Sequence, residues 1–101
     1  MTKEEIKLGM EVRCLENFPE VPKGTIGIIV EDYGTGIMVA WDLPNKPYPD
    51  KSWQEVAKMF AVNPECPLRD GFAYDELEFL EVNGMPKEER LTHKKGRKII
   101  L

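Results

Sequence analysis

Histidine and cysteine are nearly absent from this 101-residue chain, which holds one His, His93, and two Cys, Cys14 and Cys66. There is no C-x-x-C and no pair of histidines at ligand spacing. A structural zinc site wants four such ligands and finds only three, so no metal is expected. His93 sits in a polar C-terminal run, and no Ser/His/Asp set is suggested around it. A single Cys14–Cys66 disulfide is chemically available. The opening Met1-Thr2-Lys3-Glu4-Glu5 lacks the basic-then-apolar layout of a secretion signal, so two reduced thiols in a cytoplasmic protein are the expectation. No apolar run approaches the ~20 residues of a spanning helix, and no membrane association is expected. Gly34-Thr35-Gly36 is too short for a phosphate loop and opens no helix, so no cofactor is expected either. The length leaves room for one domain.

The chain is rich in charge, unevenly placed. Residues 1–84 carry eight Lys or Arg against sixteen Asp or Glu, a net of −8, whereas residues 85–101 net +4. An acidic body repels a phosphate backbone by default, and the basic tail is the one part that would attract it. The division predicts a single folded domain over 1–84 and a mobile basic tail over 85–101.

Thr2-Lys3-Glu4-Glu5 has the form of a capping box, but Gly9 limits any helix there to a turn. Met10 to Leu15 alternates, with Met10, Val12 and Cys14 on one face, which predicts a half-buried strand. Asn17 to Gly24 holds Pro19 and Pro22 and reads as a loop. Thr25 to Glu31 is dense in β-branched residues, with Ile26, Ile28 and Val30 sharing a face and Gly27 interrupting the other. A glycine there marks a bend, a bulge or the close approach of another backbone. Asp32 to Gly36 supplies turn residues, and Ile37, Val39 and Trp41 then alternate inward, so an antiparallel hairpin is predicted.

Pro44, Pro47 and Pro49 exclude a central strand before Lys51. From Ser52, Trp53, Val56, Ala57, Phe60 and Ala61 fall on one helical face, which predicts a short amphipathic helix over about 52–62. Asn63 to Gly71 reads as irregular, with a turn at Asp70-Gly71. Phe72-Ala73-Tyr74 reads as a short strand, Asp75 to Leu77 as a tight turn, and Glu78 to Val82 as a closing strand with Leu80 and Val82 inward.

About five short strands broken by Gly and Pro turns predict a mainly β fold, a small barrel or sandwich. Gly9-Met10-Glu11-Val12-Arg13, Val21-Pro22-Lys23-Gly24-Thr25-Ile26-Gly27-Ile28-Ile29-Val30, Val39-Ala40-Trp41-Asp42 and Tyr74-Asp75-Glu76-Leu77-Glu78-Phe79-Leu80 together resemble small SH3-like barrel modules. The first two segments are similar to the KOW motif, with a Gly opening a strand, a loop, and a Gly inside an apolar strand. The Gly-Thr-Ile-Gly and Val-x-Trp-Asp segments resemble short bacterial and phage SH3-like families. The resemblance implies an SH3-like barrel over roughly 8–82, to which the helix near 52–62 is an insertion. RNA-binding KOW modules are generally basic on the binding face, and this body is acidic.

Carboxylates at Glu31-Asp32 and at Asp75, Glu76 and Glu78 have oxygen donors suited to a divalent cation but no cation-loop spacing, and read as turn and surface residues. The two P-x-x-P runs, at Pro19–Pro22 and Pro44–Pro47, read as rigid loops. Among aromatics, Trp41 reads as core. Tyr33, Tyr48, Trp53 and Tyr74 are the candidates for a ligand groove, with helix docking the competing role for Trp53. The expectation is a non-enzymatic module that binds a protein with a basic surface. The alternative is a nucleic-acid-associated module acting through Lys94, Lys95, Arg97 and Lys98 of the tail. A third reading is an enzyme accessory or cation-binding domain.

Overall fold

The computed structural model describes residues 1–44, 53–62 and 68–84. Alternation and β-branched density become five strands: β1 (Glu11–Cys14), β2 (Ile26–Asp32), β3 (Gly36–Trp41), β4 (Arg69–Ala73) and β5 (Leu80–Gly84). They form one antiparallel sheet in the order β4-β3-β2-β1-β5. The fold is mainly β, a curled half-barrel with a short helix, compatible with an SH3-like barrel. Two 3-10 segments, Lys3–Glu5 and Tyr74–Phe79, and one α-helix, α1 (Trp53–Val62), complete it. No helix among the described residues is long and apolar enough to cross a membrane.

The sheet buries both faces. On the concave side Met10, Val12, Cys14, Ile29, Val39 and Trp41 pack with Phe72 and Leu80, and Val21, Leu43 and Leu77 close the ends. On the convex side a smaller cluster joins Ile28, Val30 and Ala40 to Val56 of α1, with Met38 and Ala57 at its margin. The face shared by Ile28 and Val30 is therefore the helix-docking face, and Ile29 serves the main core. Pairing passes from Ile29↔Val39 to Glu31↔Met38, so Val30 is the extra residue of a bulge. A ten-residue helix is marginal in isolation, and docking Val56 on β2 supplies what propensity cannot. Gln54, Glu55 and Lys58 face solvent as the periodicity predicts. The side chains of Trp53 and Phe60 lie outside the described residues, as do Tyr48, Cys66 and the whole of 85–101 with Lys94, Lys95, Arg97 and Lys98.

Two readings are corrected. Asp70-Gly71 is not a turn but the middle of β4, held in pairing by Val39↔Asp70 and Met38↔Gly71. The dipeptide reads as a turn from composition alone, but Asp70 turns inward and accepts a hydrogen bond from the Trp41 indole, at 2.7 Å. Tyr74 opens the second 3-10 segment rather than ending a strand, and that segment delays β5 to Leu80. Asn17–Gly24 is a loop as expected, and within it Phe18 and Val21 exchange two backbone hydrogen bonds at 2.9 Å.

Candidate functional site

Two shallow hollows lie at the β4 end of the sheet. The hairpin of β2 and β3 closes where the Tyr33 N–H donates to the Gly36 carbonyl at 2.9 Å. Gly34 takes φ of +82°, as the first residue of a two-residue primed loop requires, and its N–H donates to Asp32 Oδ1 at 3.0 Å. This lifts Tyr33 into solvent, 55% exposed. It shares the convex face with Gly36 of β3 and Gly71 of β4, and with Thr35 and Ala73 these bound a shallow hollow of about 220 Å³. Burial against neighbours, then a hydrogen bond to Glu31, push the Tyr33 phenol above its ordinary pKa.

A second hollow, of about 230 Å³, lies on the concave face of the same strand. Its walls are Phe18, Pro19, Phe72 and Phe79, and its polar groups are Asp70 and Glu76. The Phe18–Val21 turn, with Pro19 at one central position and Glu20 at φ +65° at the other, swings the Phe18 ring over the mouth of the half-barrel. There it meets Phe72 edge-on at 5.7 Å and Phe79 at 5.9 Å between ring centroids. Trp41 supports Phe72 from below at 6.1 Å. The second 3-10 segment brings in Phe79 and Glu76, whose Oε1 accepts the Ala73 N–H at 2.8 Å.

Tyr74 plays a different part. Its hydroxyl donates to Asp32 Oδ1 at 2.7 Å, and Lys3 Nζ stands 6.0 Å from its ring centroid. The phenol is raised chiefly by that hydrogen bond, and Asp32 is lowered by the Gly34 N–H and the Tyr74 hydroxyl. Tyr74 therefore ties the hairpin tip to the 3-10 segment and stands beside the hollows. Of the sequence candidates, Tyr33 lines a hollow, Tyr74 braces one, and Tyr48 and the Trp53 side chain fall outside the described residues. Phe18, Asp70, Phe72, Glu76 and Phe79 come together only in the fold. The Phe18-Pro19-Glu20-Val21 segment carries turn residues, but nothing local places its ring against Phe72 and Phe79.

Arg69 is on the convex side, its side chain only 6% exposed. It donates to the Ala57 carbonyl at 2.7 Å and to Glu31 at 3.3 Å, joining α1 to β4 and β2. Burial lowers its pKa, against the opposing pull of Glu31. Cys14 is buried and free, with its thiol raised mainly by burial and donating to the Glu16 carbonyl at 2.7 Å. Among the described residues no three His, Cys, Asp or Glu side chains gather as metal ligands would. Comparison with known family models, with curated proteins and with solved structures finds no match to this chain.

Proposed function

We propose that this chain is a non-enzymatic interaction module, an SH3-like barrel that binds another protein through the β4 end of its sheet. One observation carries the reading: among the described residues β4 is an edge strand with a side-chain-sized hollow on each face. Hollows of about 230 and 220 Å³ fall below the ~300–1,000 Å³ of sites that enclose small molecules. Spaces of that size suit single side chains of a protein partner. Exposed Tyr33 and the Phe18/Phe72/Phe79 group offer the aromatic surface that interface centres favour. Asp70 and Glu76, on a body of net −8, favour a basic partner surface and disfavour a nucleic acid.

The test is capture by the full-length chain from extract of its own host, followed by calorimetry with the purified captured protein. A protein ligand whose affinity falls about tenfold with Tyr33→Ala is expected, a loss of ~1.4 kcal/mol. A chain that captures no protein but binds single-stranded RNA with a steep salt dependence would instead be a nucleic-acid module.

A further inference from the structure

We propose that β4 is a strand acceptor: an extended segment of a protein partner pairs with its open edge and sets an arginine or lysine side chain into the concave hollow. The proposal rests on the module reading above and specifies the chemistry of the partner.

The backbone argument comes from register. The Trp41 N–H donates to the Leu68 carbonyl, and the Tyr74 N–H to the Thr35 carbonyl. With Ile37↔Phe72 and Val39↔Asp70 in the same ladder, alternate residues from Leu68 to Tyr74 direct their hydrogen bonds to β3. Gly71 lies between them and directs its N–H and C=O the other way, to the open side. It is exposed and has no side chain to fend off a neighbour. The Ala73 N–H is already given to Glu76, which limits the acceptor stretch at that end. Among the described residues no strand pairs with this edge, and an edge of this kind is a template for strand addition.

The opposite edge is guarded. In β5 the pairing passes from Val12↔Val82 to Glu11↔Gly84, so Asn83 bulges. Its side chain accepts from Arg13 at 2.8 Å and donates to Glu11 at 3.3 Å. Bulges and charged side chains are the usual protection of a sheet edge.

The side-chain argument comes from alternation. Successive residues of a strand point to opposite faces. The two hollows lie on opposite faces of β4 and share Gly71 and Phe72, so consecutive residues of an added strand enter one each. The concave hollow sets ring walls beside Asp70 and Glu76, with no basic residue among the described residues that line it. Arg69 lies on the other face, engaged with Ala57 and Glu31. A guanidinium stacks on aromatic rings and pairs with carboxylates, and a lysine does so more weakly. The convex hollow, floored by Gly36 and Gly71 beside Tyr33, takes an apolar side chain.

The probe is a capped, fluorescein-labelled hexapeptide of alternating valine and arginine, followed by anisotropy on the full-length chain. Two control peptides replace arginine by glutamate, or carry N-methyl groups on alternate amides. Both controls are expected to bind at least about tenfold more weakly than the parent. Gly71→Pro removes only an outward N–H, which edge strands tolerate, and should weaken the parent peptide about tenfold. Glu76→Gln keeps an acceptor for Ala73 but loses the charge, and should weaken binding several-fold and flatten its salt dependence. If Gly71→Pro does not fold, the N-methylated peptide still decides. Equal binding by the N-methylated and parent peptides would overturn strand addition. Binding that appears only after Lys94, Lys95, Arg97 and Lys98 are all changed to Gln would overturn a separate partner as the occupant. A host protein bound equally well by wild type and Gly71→Pro would overturn the acceptor while leaving the module reading intact.

Discussion

Gly27 shows how one missing side chain organises the core. A Cβ at this position would lie 2.5 Å from Val39 Cγ1 and 2.7 Å from Trp41 Cε3. From the sequence the position marks a bend, a bulge or the close approach of another backbone, and the neighbours prove to be the side chains of Val39 and Trp41. Gly27→Val should therefore cost about 1–3 kcal/mol by overpacking beneath a fully buried Trp. Ile29→Val, one methylene lost from a fully buried site, should cost about 0.5–1.5 kcal/mol. Urea melts of the pair decide the order, and equal midpoints would remove the steric role of Gly27. The Asp32–Tyr74 contact has its own signature. Asp32 is held below its ordinary carboxyl value by two donors, so Tyr74→Phe should raise its titration midpoint while the Gly34 donor keeps some of the depression. The sign follows: a depressed carboxylate adds stability above its unfolded pKa, near ~3.9, and loses it as pH falls through the lower folded value. Carboxyl NMR of Asp32 in both proteins reads the shift directly, and an unchanged midpoint would mean that the phenol does not reach it.

Secondary-structure elements differ in how plainly they were written. β1, β2 and β3 were legible because period-two alternation and β-branched residues agree over Met10–Cys14, Thr25–Glu31 and Ile37–Trp41. The helix was legible because its 3.6-residue stripe is unambiguous. β4 was half hidden, since Asp70-Gly71 carries turn chemistry and only the long-range bond from Trp41 explains an inward Asp there. The concave hollow was less legible still, because Phe18, Phe72 and Phe79 meet through sheet order and a loop bridge that no local pattern encodes. The docking of α1 depends on Val56 beneath and Arg69 across, and the two can be separated by experiment. Val56→Ala should destabilise the whole domain by roughly 1–3 kcal/mol, the transfer of its lost methyl groups plus a cavity. Arg69→Met keeps an apolar stem but no donor, and should raise amide exchange in α1 more than in β1–β3. Uniform exchange across α1 and the sheet in Arg69→Met would show that the side chain does not hold the helix specifically.

Taken as a whole molecule, the described residues combine a curled antiparallel half-barrel, one guarded edge at β5 and one edge at β4 that no described strand covers. Its described body is acidic, and the open edge presents carboxylates among aromatic rings. Under the proposal above, the β4 end is the surface where a basic extended segment gains backbone pairing, ring contact and charge pairing at once. The most direct measurement is an amide chemical-shift titration of the full-length chain with the valine–arginine hexapeptide. The account predicts the largest shifts at Gly71, Phe72 and Ala73, with Tyr33 and Glu76 following on the two faces, and little change along β5. Shifts centred on β5 or on α1, with Gly71 unmoved, would contradict it.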